Sequence, residues 1–202
     1  MSDNSNTSYP IHDFLKQRWS PRAFSERRVE KEKLIALFEA ARWAPSCFNE
    51  QPWSFIVTTR EQTAEYERML ACLVDTNIRW ARLAPVLMLS VAKLNFEYNG
   101  KPNRHAFHDV GLAVENLIVQ ASAFGIYVHQ MAGFHPDRAR ESFSIPATHE
   151  PVAGIALGYL GDPEQLPEDL RDREKAQRER MPLKDFVFSG AWNRTSSLLT
   201  LK

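Results

Sequence analysis

Apolar and polar positions follow two different spacings along this chain. A helical spacing, with apolar residues three and four positions apart, predicts helices over residues 11–19, 29–43, 63–74, 107–124 and 136–143. β-rich or continuously apolar runs predict strands over residues 53–59, 85–91, 126–130 and 152–159. Strands that alternate with helices in this order favour a mixed α/β or an α+β sheet covered by helices.

The predicted helix over residues 107–124 differs from the others because it is apolar on nearly all sides. Such a helix must be buried all round, either in a core or at a subunit interface. Further along, residues 162–180 are rich in Pro, Glu, Asp and Arg, and the last twenty residues carry Phe186, Phe188 and Trp192. Exposed aromatic side chains are costly alone, so we expect this tail to wrap another surface, such as a second subunit.

The composition is that of an ordinary globular protein. A chain of 202 residues suffices for one domain, which we place over residues 11–202, after a flexible arm at residues 1–10. The 25 Lys and Arg balance the 25 Asp and Glu, so no overall basic field attracts nucleic acid or anionic lipid. The longest apolar stretch, residues 84–92, is half of the about 18 residues that span a bilayer. Residues 1–9 lack a signal-peptide pattern, and we expect a cytoplasmic protein.

Several motifs that carry chemistry are missing. The eight glycines form neither a dinucleotide-binding fingerprint nor a phosphate loop, and the two cysteines form no zinc or redox pair. His105 and His108 could hold a metal, but a solvated or helix-capping pair is favoured, and we predict no metal site. His129 is interpreted as a core or loop histidine rather than a ligand. The charged run at residues 168–180 is interpreted as a solvated helix face, with Arg180 as the exception.

The first of two unusual polar segments is residues 18–24. In extended backbone, residues two apart project to one side, so Arg18, Ser20 and Arg22 would converge on one face. Two guanidinium groups and a hydroxyl match an anion such as a phosphate monoester. A surface turn with scattered ion pairs is the alternative interpretation of the same residues.

The second segment, residues 44–53, is a loop that follows a helix stopped by Pro45. It presents Ser46, Asn49 and Gln51 before the chain enters a strand. Neutral amides both donate and accept, which suits the imide edge of a heterocycle. Alternatively, these side chains satisfy the local backbone, as Asn and Ser often do in turns, and Cys47 is a small buried hydrophobe.

Together these segments resemble the nitroreductase family of FMN-dependent NAD(P)H oxidoreductases. The resemblance keeps its order and spacing over roughly residues 12–192. Besides the Arg-x-Ser-x-Arg-x-Phe start and the Asn-x-Gln-Pro-Trp loop, it rests on the helix end at residues 40–46, Asn77 with Trp80, His108-Asp109-x-Gly111-x-Ala113, residues 130–134, and Arg180-x-Pro182-Leu183.

The resemblance implies an intertwined homodimer of α+β fold, with a mixed, mostly antiparallel central sheet flanked by helices. A C-terminal extension, about residues 181–202, would wrap the partner. Two FMN sites would lie at the subunit interface, each built from both chains.

The resemblance also implies a role for each matching residue. Arg18, Ser20 and Arg180 would hold the FMN phosphate and ribityl chain, with Arg22 near the pyrimidine end of the ring. Pro45, Ser46 and Asn49 would come from the opposite subunit, Asn77 would reach the imide edge, and Met131 to Gly133 would border the reactive N5. The full predicted FMN-binding set is Arg18, Trp19, Ser20, Arg22, Pro45, Ser46, Cys47, Asn49, Gln51, Asn77, Met131, Ala132, Gly133 and Arg180.

One position departs from the family. Where this chain has Trp80, some members carry a basic residue close to the flavin, so Arg22 would supply most of the positive charge here. Trp80, Phe48 and Phe134 could shape an acceptor pocket, with core packing as the alternative for each.

By the same resemblance, NADH or NADPH would deliver hydride to flavin N5. A nitroaromatic, quinone or activated alkene would then take the same place and be reduced, in a ping-pong mechanism. No side chain is predicted to be catalytic. The alternatives are specialised chemistry on the same fold (flavin cleavage, dehalogenation or azoline oxidation) and a non-catalytic flavin-binding module.

Overall fold

The computed structural model describes residues 9–199. They form four strands: β1 (Trp53–Thr59), β2 (Val86–Lys93), β3 (Tyr127–Met131) and β4 (His149–Gly158). The α-helices are α1 (Asp13–Gln17), α2 (Lys31–Arg42), α3 (Thr63–Leu70), α4 (Asp75–Ala81), α5 (Ala106–Ala123), α6 (Pro136–Ser142) and α7 (Glu168–Lys175). The predicted arm at residues 1–10 lies outside the described residues except for its last two. No helix within residues 9–199 is both long and apolar enough to cross a membrane.

The four strands form one sheet in the order β1-β2-β4-β3. The α+β class and the mostly antiparallel sheet are confirmed, and among the described residues all three strand pairings are antiparallel. Between β2 and β4 the register shifts: Ser90 faces Ala153, whereas Val91 faces Pro151. This irregularity, with an extra residue on β4, suits a proline, which has no N–H for the ladder.

Helices cover both faces of the sheet. Successive side chains of β2 point to opposite faces, so Leu87 and Leu89 join a core with α3, α4 and α6. Val86 and Met88 join a second core with α2 and α5. The prediction that this continuous apolar run is buried on both faces is therefore confirmed.

The predicted helix over residues 63–74 ends earlier, at Leu70, and α4 follows it at Asp75. Between the two helices, Leu73 forms a bridge with Phe134. The N–H of Val74 also donates to the carbonyl oxygen of Gly133 at 3.1 Å. These partners are distant in sequence, and they replace the helical hydrogen bonds that local spacing predicted.

Helix α5 buries only one side within the chain. Val110, Val114 and Leu117 are buried, whereas Phe107 and Glu115 are exposed. Burial all round is therefore wrong for a single chain, which leaves the subunit-interface alternative.

The C-terminal segment, residues 181–199, exposes large apolar side chains, including Trp192, which is 84 % exposed, and Phe186. Hydrogen bonds that order it join its own residues: Ser196 donates its N–H to Val187, and the Thr195 hydroxyl donates to Lys184. The predicted tail thus presents an apolar surface that no helix or strand within residues 9–199 covers.

Candidate functional site

The segment at residues 18–24 is anchored at the end of β4. The N–H of Ser25 donates to Tyr159 and the N–H of Gly161 donates to Ala23, each at 2.9 Å. Gly161 allows this approach, because a Cβ there would lie 2.5 Å from the Phe24 backbone. The sheet therefore holds the backbone that carries the predicted anion-binding side chains.

Three arginines are associated with the start of this segment. Arg18 Nη1 donates to Ser20 Oγ at 3.4 Å, and Arg178 Nη1 donates to the Arg18 carbonyl oxygen at 2.8 Å. Burial lowers the pKa of Arg18, and the charges of Arg180 and Arg178 act in the same direction, whereas Glu115 opposes them. This cluster, called the arginine cluster below, comprises Arg18, Arg178 and Arg180 with the Ser20 hydroxyl. It has more positive charge than Glu115 neutralises.

Arg22 faces a different partner from Arg18. Its backbone N–H donates to both carboxylate oxygens of Glu174, at 3.0 and 2.9 Å, and its Nη1 lies 4.0 Å from Oε2. The predicted solvated face of the run at residues 168–180 is therefore wrong at Glu174, which is buried against this segment.

His129 supports the same segment from β3. Its Nδ1 lies 2.8 Å from the Pro21 carbonyl oxygen, which can only accept, so Nδ1 carries the proton. Burial lowers the pKa of His129 to about 4, although the hydrogen bond to Pro21 opposes this, and the charge of Arg22 lowers it further. The ring packs on Trp80, with centroids 4.3 Å apart. His129 is thus a neutral packing residue, as the core interpretation predicted.

The loop at residues 45–51, called the amide loop below, has an unusual backbone. Phe48, Asn49 and Gln51 have positive φ angles of 52°, 56° and 50°. Non-glycine residues seldom adopt this region, and when they do they cluster at functional sites. Asn49 is exposed, and no hydrogen bond found within residues 9–199 uses its side-chain amide.

Other side chains of the amide loop do satisfy local backbone, as the alternative interpretation held. Ser46 Oγ accepts the N–H of Gln51 at 2.9 Å, and Gln51 Nε2 donates to the Asn49 carbonyl oxygen at 3.2 Å. The N–H of Cys47 donates to the buried carboxylate of Asp109 at 3.0 Å. Pro45 is exposed and the Cys47 thiol is half-buried.

Asn77 and residues 131–133 are brought together. Asn77 Nδ2 donates to the carbonyl oxygen of Gly133 at 2.9 Å. Met131 is buried, Ala132 is exposed, and a Cβ on Gly133 would lie 2.6 Å from Asn77 Nδ2.

The arginine cluster and the amide loop are related to different faces of α5. The charge of Glu115 acts on Arg18 of the cluster, whereas Asp109 accepts a hydrogen bond from the amide loop. Six helical residues separate these positions by about 9 Å along the axis and about 120° around it. Within the described residues no hydrogen bond or ion pair joins the two groups, so they are separate on one chain.

The structure also places three further residues that the sequence analysis singled out. Trp80 is 1 % exposed and packs on Phe24 and His129, so it belongs to the core. Trp19 packs on Tyr127, with ring centroids 6.2 Å apart. His108 Nδ1 lies 3.1 Å from Asp109, and across the part of the chain described no group of three His, Cys, Asp or Glu could hold a metal.

Sequence reasoning missed Arg178, Asp109 and Glu174 as members of these groups. Arg178 lies two residues before Arg180, and extended spacing alone would have paired them. No local signal distinguishes Glu174 from the solvated acids of the same run.

Known proteins resemble this chain both in sequence and in fold. Residues 15–159 match the model of the nitroreductase family. Protein DrgA of Synechocystis is 30% identical over 172 residues, covering 72% of this chain and 82% of the relative. A Thermus thermophilus NADH dehydrogenase is 26% identical over 172 residues, covering 72% and 83%.

Among solved structures, an oxidoreductase containing FMN superposes with a TM-score of 0.90 at 34% identity, covering 96% of this chain and 99% of the other. Since the family model spans most of the chain and these relatives align over most of their lengths, this protein belongs to the nitroreductase family.

Proposed function

We propose that this chain is an FMN-dependent oxidoreductase that takes hydride from NADH or NADPH and passes it to a small acceptor. The arginine cluster is the observation that carries the proposal. Three guanidinium groups and a serine hydroxyl, with one carboxylate nearby, form a donor set that suits the dianionic phosphate monoester of FMN. The FMN-containing structure at 34% identity supports the same cofactor.

The residues beyond the phosphate end also fit FMN. Asn77 stands beside Gly133, where its amide could meet the imide edge of the ring and the exposed Ala132 could border the ring. The position of Trp80, which is basic in some family members, is here an uncharged residue buried in the core. Arg22 would therefore supply the positive charge near the pyrimidine end of the ring. FMN, when bound, supplies the centre that accepts and returns hydride.

The amide loop would complete the site from a second copy of the chain. Its exposed Asn49 offers a neutral amide, yet the loop lies on a different face of α5 from the arginine cluster. The exposed side of α5 and the uncovered apolar surface of residues 181–199 support a homodimer in which two copies exchange these elements.

We further propose that donor and acceptor occupy one shallow site in turn, as a ping-pong mechanism requires. Nitroaromatics, quinones and activated alkenes are the proposed acceptors. Phe48, which is 79 % exposed, forms an aromatic group with Phe96 and Tyr98, with ring centroids 5.4 to 6.1 Å apart. Such a group offers flat apolar surface for an aromatic acceptor.

Anaerobic reductive titration of the purified full-length chain tests the proposal. We expect a yellow protein that sediments at twice 23.2 kDa and bleaches on addition of NADH or NADPH. Stoichiometric reoxidation by a nitroaromatic or a quinone would then identify the acceptor. A yellow protein that neither nicotinamide bleaches would favour specialised chemistry or a binding module. A chain that cannot be loaded with FMN would contradict the proposal.

A further inference from the structure

Glu174 behaves differently from every charged neighbour on α7. Its side chain is 2% exposed, whereas Asp172, Arg173 and Lys175 are exposed. A carboxylate is seldom buried unless it is paired and hydrogen-bonded. The hydrogen-bond donors around the Glu174 carboxylate therefore indicate its role in the structure.

Those partners are two successive backbone amides. The N–H of Arg22 donates to both oxygens of Glu174, and the N–H of Ala23 donates to Oε1 at 3.0 Å. Successive N–H groups that face one anion fix the backbone conformation between them. Glu174 thus specifies the path of the chain just after Ser20.

The opposite edge of the same segment is held by His129, which donates to the Pro21 carbonyl oxygen. Residues 21–23 are therefore hydrogen-bonded from α7 on one edge and from β3 on the other. The side chains of Arg18 and Ser20 project from backbone that these contacts restrain.

The arginine cluster is built from two arginine segments, the first with Arg18 and the second with Arg178 and Arg180. Glu174 lies just before the second segment. Helix α7 ends at Lys175, and Arg178 then donates to the carbonyl oxygen of Arg18. Arg180, two residues further on, contributes its charge to the same cluster. The buried carboxylate of Glu174 thus joins the chain just before the second arginine segment to Arg22, which is 152 residues away in the sequence.

We propose that Glu174 is a positioning residue that holds the two arginine segments in register, so that their guanidinium groups converge on one phosphate. This inference rests on the proposed function, and it adds a residue that touches no cofactor atom itself. Because its effect passes through the arginines, its loss should weaken binding of the phosphate more than binding of the ring.

The test compares FMN with riboflavin, which has the same ring and no phosphate. In Glu174→Gln, which removes the charge and one acceptor oxygen, we expect the Kd for FMN to rise about tenfold or more, measured by flavin fluorescence. The Kd for riboflavin should change less than about threefold. Asp172→Asn, the matched loss of one exposed carboxylate on α7, should leave both constants unchanged. Glu174→Asp, which keeps the carboxylate, should restore much of the FMN affinity.

Equal weakening of FMN and riboflavin, or unchanged binding of both by folded Glu174→Gln, would overturn the inference. If Glu174→Gln fails to fold, the same comparison in Glu174→Asp decides, since its shorter side chain should still affect FMN more than riboflavin.

Amide hydrogen exchange separates this inference from the proposed function. We expect the amides of Arg22 and Ala23, and those of residues 176–181, to exchange faster in Glu174→Gln than in the wild type, with or without flavin. A wild-type chain that binds no flavin would contradict the proposed function, and faster exchange would then still support the register role. Unchanged exchange at both segments would overturn that role.

Discussion

The buried carboxylate of Asp109 accepts the backbone N–H of Cys47 at 3.0 Å and so ties the amide loop to the first turn of α5. The loop has three residues in the left-handed region, so it needs contacts of this kind to keep its shape. Since Asp109 is also part of the His108-Asp109 motif at the start of α5, one side chain joins two segments on which the family resemblance rests.

Replacing Asp109 by alanine should lower the free energy of unfolding by about 1–3 kcal/mol, because the partly buried Cys47 N–H loses its acceptor. Urea unfolding followed by circular dichroism measures this change. Asp75→Ala is the matched control, since it removes an exposed acid from the first turn of α4. If the two variants lose the same stability, the Cys47 contact contributes nothing beyond the helix-dipole effect.

Arg18→Ala should raise the Kd for FMN by about ten- to a hundredfold, because a guanidinium–phosphate contact is a charge-assisted hydrogen bond. The Kd for riboflavin should stay the same. Both constants can be measured by quenching of flavin fluorescence. Arg173→Ala removes an exposed arginine of α7 and should affect neither. Parallel loss of riboflavin binding would show that Arg18 does not act on the phosphate.

Arg22→Ala should lower the two-electron potential of bound flavin by roughly 20–60 mV, since about 30 mV corresponds to 1.4 kcal/mol and a nearby positive charge favours the reduced form. Spectroelectrochemical titration against a reference dye measures the shift. Arg28→Ala, at an exposed position, should leave the potential unchanged. The absence of a downward shift in Arg22→Ala would remove Arg22 from the proposed ring site.

Gly133→Ala should destabilise the protein by about 1–3 kcal/mol, because the added Cβ would lie 2.6 Å from Asn77 Nδ2 and 2.9 Å from Val74 Cγ2. Asn77→Ala removes the nearer atom. The double variant should therefore lose less stability than the two single variants together, as measured in a double-mutant cycle by thermal unfolding. Strict additivity would mean that the close approach of Asn77 to Gly133 carries no strain in Gly133→Ala.

His129 should make the protein less stable in acid. Its pKa is about 4 in the folded chain against 6.5 for an unperturbed histidine, so the unfolded state binds its proton first as the pH falls. Above about pH 6.5 His129 is neutral in both the folded and the unfolded state and does not affect stability. As the pH falls to 4, only the unfolded state gains the proton, so the free energy of unfolding falls by up to about 3 kcal/mol. Unfolding free energies across this range should therefore fall more steeply for the wild type than for His129→Asn, which keeps a donor for Pro21. Equal slopes would contradict the lowered pKa of His129.

Local spacing predicted the elements whose own residues decide their conformation. Strand β1 has the predicted bounds, and α5 differs from prediction by one residue at each end, because both have long, regular apolar patterns. Helix α4 was not predicted as a separate helix. It has only seven residues and a polar first turn, so its apolar pattern is too short to identify it. Its start depends on the contacts of Leu73 and Val74 with residues 133 and 134, which no local pattern contains.

The candidate site divides in the same way. The alternation of Arg18, Ser20 and Arg22 indicated an anion site, but the three side chains do not act as one group. Arg18 and Ser20 join Arg178 and Arg180, whereas Arg22 is held by Glu174. Spacing two residues apart predicts a common side only for regular extended backbone, and the hydrogen bonds of Glu174 alter the path of the chain at Arg22.

By itself, the sequence determined the family, the α+β class and the chemical kind of each candidate segment, because these depend on residue types and their order. Only the tertiary structure determined which charged side chains are buried. Glu174 and Asp109 are buried because distant backbone amides are close enough to hydrogen-bond them, and that proximity results from the packing of α7 and α5. The local sequence of a charged run does not show whether a given carboxylate faces solvent or accepts a backbone N–H. Only the packing of distant segments around that carboxylate determines which of the two it does.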